Sequence, residues 1–195
     1  MSPTSETPLV VLGASTGGPG ALATILSGLT PDLPAAVLIA QHIDAGIAPS
    51  FAEWLTRSTG FPVRIATSGD RPVVGEALLA ATDAHLVLTA GGTLRYQTEP
   101  SESPYCPSVD VFFHSLAVHG PARSVAVLLT GMGHDGAQGL EALRRACWLT
   151  LAQDRGTSVI YGMPRAAAET GAAKQVLPLD RIAGAIRSHF GFADP

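Results

Sequence analysis

Three short apolar runs, each followed at once by a polar or glycine-rich segment, constrain this chain more than any other feature. The runs are residues 9–12, 36–40 and 125–129. The segments that follow them contain Ser15, His42 and Asp135, in that order. Short apolar runs bounded by turn residues are typical of buried strands in a parallel sheet. Because catalytic groups of open α/β sheets gather outside the carboxyl ends of the strands, we expect these three side chains to meet at one edge.

Apolar residues at helical spacing separate the predicted strands. Pro19 is well placed to open the first helix, and Ser108 is expected to cap a later helix with an apolar face. Further helices are predicted at residues 47–55, 137–146, 164–171 and 179–190, and further strands at residues 148–152 and 175–177. The chain is therefore predicted to be an α/β protein in which strands and helices alternate.

Residues 61–98 break this alternation. They are rich in Val, Ile, Thr and Leu, and Gly91 and Gly92 separate residues 85–89 from residues 94–97. β-Branched residues favour strands, and two such runs joined by a short glycine turn are typical of a hairpin. We therefore predict short strands here, including an antiparallel hairpin.

Length and composition exclude several classes of function. At 195 residues the chain has the length of one domain, so we expect residues 1–195 to form a single domain. The net charge of −4 favours neither nucleic-acid binding nor attraction to an anionic membrane. No apolar run has membrane-spanning length, and residues 1–8 lack the features of a signal peptide, so we expect a cytoplasmic protein. Cys106 and Cys147 form no CxxC motif and are expected to be inert.

The turn after the first run fits two kinds of site. Residues 13–17, Gly-Ala-Ser-Thr-Gly, match G-x-S-x-G, the pattern of a serine nucleophile on a sharp strand-to-helix turn. The same turn also resembles the phosphate loop of a dinucleotide-binding protein. Such a protein should have an acidic residue at the end of the second strand, where Gln41 and His42 stand instead. The turn by itself leaves both interpretations open.

His42 and Asp135 favour the hydrolase interpretation, although each has an ordinary structural alternative. A histidine at a strand end is more often bonded to a carbonyl, and an aspartate before a helix is often its N-cap. The glycines around Asp135 nevertheless indicate a backbone that approaches something closely, and the N–H of Met132 could serve an oxyanion. Asp110 and His114 have metal-ligand spacing on a helix, but no third ligand stands out, so no metal is predicted.

Six sequence blocks match a known family and occur in that family's order. They are Gly-Ala-Ser-Thr-Gly-Gly-Pro at 13–19, Gln-His at 41–42, Pro-Ser-Val-Asp at 107–110, Leu-Thr-Gly-Met-Gly-His-Asp-Gly-Ala at 129–137, Ala-Gln-Asp at 152–154 and Gly-Met-Pro-Arg-Ala at 162–166. The block at 129–137 is highly specific. On these blocks the chain resembles the catalytic domain of the chemotaxis receptor methylesterases, protein-glutamate methylesterases that also deamidate receptor glutamines.

The resemblance implies a fold, a site and a substrate. The fold is a doubly wound, mostly parallel sheet with flanking helices and an antiparallel hairpin. Ser15 is the nucleophile, His42 the general base and Asp135 its orienting carboxylate, and backbone N–H groups near Thr16 and Met132 hold the oxyanion. The substrate is a glutamate methyl ester on a methyl-accepting chemotaxis receptor, which is then the protein partner. No metal or organic cofactor is required.

Departures from the family concern regulation and local contacts. Family members usually carry an N-terminal receiver domain, and no receiver sequence precedes residue 13. We therefore expect an isolated catalytic domain that does not respond to phosphodonors and is controlled by expression, localisation or a separate regulatory partner. Ile43 and Asp44 replace the family's Met-Pro, and Cys147 and Trp148 replace a frequent Gly-Gly pair.

Two other functions stay open at the level of sequence. One is a nucleotide-binding, Rossmann-like oxidoreductase, which the glycine-rich turn permits. The other is a catalytically silent module that binds a receptor. A titration with nucleotides would distinguish the first from a hydrolase, and an assay for ester hydrolysis would distinguish the second.

Overall fold

A parallel sheet forms the centre of the molecule, and the computed structural model describes residues 7–81 and 83–192. The strands are β1 (Leu9–Ala14), β2 (Ala36–Gln41), β3 (Val63–Ile65), β4 (Ala77–Leu79), β5 (His85–Leu88), β6 (Leu94–Gln97), β7 (Val125–Leu128), β8 (Leu149–Gln153) and β9 (Gln175–Leu177). The helices are α1 (Gly18–Gly28), α2 (Ala48–Thr59), α3 (Val109–His119), α4 (Ala137–Arg145), α5 (Met163–Glu169) and α6 (Leu179–His189). Within the described ranges, none of these helices has the length and apolar character needed to cross a bilayer.

The main sheet reverses its strand order beside β1. Seven strands lie in the order β3-β4-β2-β1-β7-β8-β9, and their neighbouring pairs are parallel. The chain passes from β1 to β2, then to β3 at the edge of the sheet and back to β4 between β3 and β2, before β7 takes the place on the other side of β1. In open α/β sheets, ligands bind outside the carboxyl ends of the strands at such a reversal. β5 and β6 form a separate antiparallel pair.

Helices cover both faces of the sheet. Successive side chains of a strand point to opposite faces, so Val10 and Leu12 belong to the core shared with α1, α2 and α6. Val11 belongs to the opposite core, which α3, α4 and α5 cover. A sheet buried on both faces explains why its strands read as nearly continuous apolar runs.

The structure confirms the predicted doubly wound α/β fold with an antiparallel hairpin. The ends of the predicted strands shift slightly: β1 extends to Ala14, β2 includes Gln41 and β7 ends at Leu128. Within residues 61–98, β5 and β6 are the predicted hairpin. β3 and β4 instead join the main sheet in parallel, a long-range pairing that the local residue pattern does not indicate.

Phe113 offers a test of the face of α3 that packs into the core. Its side chain is fully buried, so Phe113→Ala should lower the free energy of unfolding by about 3–5 kcal/mol, as measured by urea denaturation. Val118→Ala is the matched control, because this side chain on the same helix is 74% exposed. The control should change the free energy of unfolding by less than about 0.5 kcal/mol. Equal losses in both variants would contradict the assigned core face.

Candidate active site

Ser15 and His42 occupy equivalent positions at the ends of two adjacent strands. Ala14 and Gln41 are partners in the pairing of β1 with β2, and the His42 N–H donates to the Ala14 carbonyl over 3.0 Å. Ser15 directly follows Ala14, and His42 directly follows Gln41. Because adjacent strands lie about 4.8 Å apart, the sheet places both residues side by side at its carboxyl edge.

A tight turn holds Ser15 between β1 and α1. The Ser15 N–H donates to the Thr130 carbonyl over 3.0 Å, and the Ser15 carbonyl accepts from the Gly18 N–H over 2.8 Å. Gly17 has a φ of 83°, a left-handed conformation that glycine adopts without a steric penalty. The half-buried Ser15 therefore stands on a strand–turn–helix, the local structure that the G-x-S-x-G pattern predicts.

The Gln41 side chain joins the two strand ends. It is buried, and its Nε2 donates to the carbonyls of Ser15 and of His42, each over 3.0 Å. One amide thus restrains the backbone at both residues. Sequence reasoning identified Gln41 only as part of a Gln-His block, because this role depends on the register between β1 and β2.

His42 and Asp135 form a hydrogen-bonded pair. The His42 Nε2 lies 2.8 Å from the Asp135 Oδ2, and the Asp135 side chain is only 2% exposed. An ionised carboxylate only accepts hydrogen bonds, so Nε2 carries the hydrogen of this bond. The Nδ1 of His42 is then the nitrogen that can accept a proton from another group.

The Asp135 carboxylate also binds the N-terminus of α3. Its Oδ1 accepts from the Ser108 hydroxyl over 2.9 Å and from the Asp110 N–H over 3.0 Å, and its Oδ2 accepts from the Val109 N–H over 2.7 Å. Burial acts to raise the pKa of Asp135, but hydrogen bonds from His42 and these α3 groups outweigh burial and lower the pKa overall. The carboxylate is therefore an anion at neutral pH.

Asp110 makes the reciprocal contact with α4. Its Oδ1 accepts from the Gly139 N–H over 2.7 Å, so each of these two helices begins against a carboxylate from the other segment. Burial, with a contribution from the nearby Asp135 charge, raises the pKa of Asp110. Asp135 does not cap α4, the ordinary structural role of an aspartate before a helix, because its carboxylate binds α3 instead. Asp110 is also the residue with metal-ligand spacing to His114, and its carboxylate accepts this hydrogen bond from Gly139.

Ser108 and His85 extend the hydrogen-bond network of Asp135. Ser108 caps α3 by accepting from the Val111 N–H over 3.3 Å, as predicted, and its hydroxyl donates to Asp135. The buried His85 accepts from the Ser108 N–H at Nδ1, over 3.1 Å, and its Nε2 lies 3.2 Å from the Pro100 carbonyl. The Pro-Ser-Val-Asp block was the only signal for Ser108 in this role, and no local pattern indicated His85.

Thr16 and Met132 lie on the exposed side of the same edge. Thr16 follows Ser15 in the turn, and the Met132 side chain is 70% exposed in the loop between β7 and α4. Among residues 7–81 and 83–192, neither backbone N–H donates a hydrogen bond. The two N–H groups therefore have no acceptor in the described part of the chain.

These features define a class of protein: a doubly wound α/β domain with a serine, a histidine–aspartate pair and free N–H groups at the carboxyl edge of its sheet. Residues 10–186 match the model of the CheB methylesterase family, and the chain belongs to that family. The resemblance stated from the sequence is thereby confirmed. Neither the nucleotide-binding alternative nor the silent module gains support from these comparisons.

Curated relatives and a solved structure agree with this assignment. The chain is 58% identical over 177 residues to a protein-glutamate methylesterase/protein-glutamine glutaminase of Burkholderia lata, covering 91% of this chain and 53% of the relative. A protein of the same name from Bordetella avium is 50% identical over 186 residues, covering 95% and 54%. The chain thus spans about half the length of these relatives. The crystal structure of the Thermotoga maritima CheB methylesterase catalytic domain matches with a TM-score of 0.88 and 31% identity, covering 94% of this chain and 98% of that one.

Proposed function

We propose that this chain hydrolyses methyl esters of glutamate side chains on chemotaxis receptors, by a serine mechanism. The observation that carries the proposal is the hydrogen bond between the half-buried His42 and the buried Asp135, beside Ser15 at the reversal of strand order. Membership of the CheB methylesterase family supports the reaction, and the names of the relatives support the glutamate ester. The proposed reaction takes place in the cytoplasm and requires no metal or organic cofactor, because Ser15 and His42 supply the nucleophile and the base.

The first half of the reaction forms an acyl-enzyme. His42 Nδ1 takes the hydroxyl proton as Ser15 Oγ bonds to the ester carbonyl carbon, and the carbonyl oxygen becomes an oxyanion. The carbon–methoxy bond then breaks, and the methoxy oxygen receives the proton from His42 and leaves as methanol. Asp135 stabilises the imidazolium ring between these two proton transfers.

The second half restores the serine. A water molecule gives a proton to His42 and attacks the acyl carbon, and Ser15 Oγ leaves with that proton. The product is a free glutamate carboxyl group. The same steps with ammonia as leaving group would convert a receptor glutamine into glutamate, the second activity in the relatives' names.

The backbone N–H groups of Thr16 and Met132 are the proposed oxyanion donors. Neither N–H donates a hydrogen bond within residues 7–81 and 83–192. Thr16 follows Ser15 directly, and Met132 lies two residues after Thr130, whose carbonyl accepts from the Ser15 N–H. α1 begins two residues after Thr16, so its positive N-terminal end favours negative charge nearby. A donor of this kind contributes roughly 3–4 kcal/mol to transition-state stabilisation in serine hydrolases.

Methanol release from a methylated receptor fragment tests the proposal. We expect the chain to release methanol and to leave a carboxyl group at the modified position, which mass spectrometry detects. Ammonia release from a receptor fragment with glutamine at that position tests deamidation. Binding of the fragment without release of either product would support the silent module, and saturable binding of NAD(P) or a flavin would support the nucleotide-binding alternative.

A further inference from the structure

The proposed mechanism uses both ring nitrogens of His42 but neither face of the ring. Tyr105, in the loop that precedes α3, covers one face. The two ring centroids lie 5.0 Å apart, and the ring planes differ by only 5°. This is a parallel stack, and stacked aromatic pairs contribute about 0.5–1.5 kcal/mol beyond the burial of their surface.

Tyr105 is itself held at two other points. The Tyr105 carbonyl accepts from the Ser103 hydroxyl over 2.9 Å, which closes a short turn in the loop. The Tyr105 hydroxyl lies directly against Gly133, so a Cβ at Gly133 would overlap it. Gly133 also has a φ of 84°, and it belongs to the glycine-framed segment that carries Asp135. The Tyr105 ring therefore contacts the His42 imidazole with its face, and its hydroxyl reaches the segment that carries Asp135, the hydrogen-bond partner of His42.

We propose that Tyr105 is a positioning residue, which fixes the plane of the His42 ring and supports its positive charge. The hydrogen bond to Asp135 restrains only one edge of the imidazole, and the stack prevents the ring from rotating about that bond. A cation within about 6 Å of a tyrosine centroid is attracted to the ring face, so the stack strengthens when His42 accepts the serine proton. This role rests on the proposed function of His42 as the base.

Removal of the aromatic ring is the first test. In Tyr105→Leu, kcat for ester hydrolysis should fall on the order of 10- to 100-fold, because a misdirected base costs rate in this range. KM should change by less than about 2-fold, since ground-state substrate binding is not the interaction lost. Tyr105→Phe keeps the ring and should retain most of the rate. Equal losses in the two variants, or a loss confined to KM, would overturn the proposal.

A pair of substitutions tests the contact with Gly133. Gly133→Ala should lower kcat, because its Cβ displaces the Tyr105 hydroxyl and with it the ring. Adding Tyr105→Phe should restore part of the lost rate, since the nearest remaining ring atom, Cζ, lies 3.5 Å from that Cβ position. The backbone strain at this φ is the same with and without the second substitution. Losses that simply add would contradict the proposed contact.

Nuclear magnetic resonance gives a readout that does not depend on activity. A stacked ring shifts the His42 ring-proton resonances, so these should move in Tyr105→Leu and stay near their wild-type positions in Tyr105→Phe. Resonances that do not move in Tyr105→Leu would show that no stack exists. If the resonances move but wild type releases no methanol, the stack stands and the proposed function fails instead.

Discussion

Ser15→Ala should abolish nearly all methyl-ester hydrolysis while leaving the protein folded. The proposed acyl-enzyme forms on the Ser15 hydroxyl, and loss of a serine nucleophile costs roughly 10⁴- to 10⁶-fold in kcat in serine hydrolases. The turn should survive, because its hydrogen bonds to Thr130 and Gly18 use the backbone of residue 15. The rate is measured as methanol release from a methylated receptor fragment, and the fold by circular dichroism and the melting temperature.

Ser27→Ala is the matched control for this prediction. Ser27 is exposed on α1, the helix that follows the turn, so the same chemical change there should affect neither rate nor melting temperature. A folded Ser15→Ala protein that keeps even a tenth of the wild-type rate would exclude Ser15 as the nucleophile. Loss of the fold in Ser15→Ala would show instead that the hydroxyl is structural.

Asp135→Asn should lower both activity and stability. Without the carboxylate charge, His42 loses the group that orients it and stabilises its protonated form, and such a change costs on the order of 10⁴-fold in related triads. The amide also cannot accept from all of the donors of α3 and His42 at once. Unsatisfied buried donors should lower the free energy of unfolding by on the order of 3 kcal/mol at pH 7.

The stability difference should depend on pH in a defined direction. The pKa of Asp135 is lowered in the folded protein, so its stabilising contribution is present above the unfolded-state pKa of about 3.9. This contribution is lost as the pH falls below that value and through the folded-state pKa. The urea midpoints of wild type and Asp135→Asn should therefore converge in acid. A constant difference from pH 7 to acid, or an equal effect of Asn at the exposed Asp32, would contradict this role.

The parts of the site that the sequence predicts are those set by local pattern. A buried run followed by a glycine turn places Ser15 at the end of β1, and the next run places His42 at the end of β2. Both predictions rely on properties of single strands and of the sheet edge they share. The capping of α3 by Ser108 is likewise a local contact and was predicted correctly.

The parts that sequence reasoning missed depend on contacts between distant segments. Gln41 bonds to Ser15 only because β1 and β2 pair in one particular register. Asp135 binds α3 rather than the helix that follows it because α3 and α4 pack side by side, which brings Asp135 to N–H groups 25 and 26 residues away in the chain. Tyr105 lies in a proline-rich loop with no periodicity, so nothing local indicates its stack on His42.

The central position of β1 also sets the order in which the site can assemble. β1 pairs with β2 early in the chain, but its other neighbour is β7, and the His42–Asp135 bond spans 93 residues. At a synthesis rate of about 5–20 residues per second, the ribosome needs roughly 5–20 s to make that interval. During this time one edge of β1 has no partner strand, and an open edge of this kind can pair with other chains. Full pairing of β1 and completion of the site therefore come late and together, and the proposed ester hydrolysis requires that β7 has already joined β1.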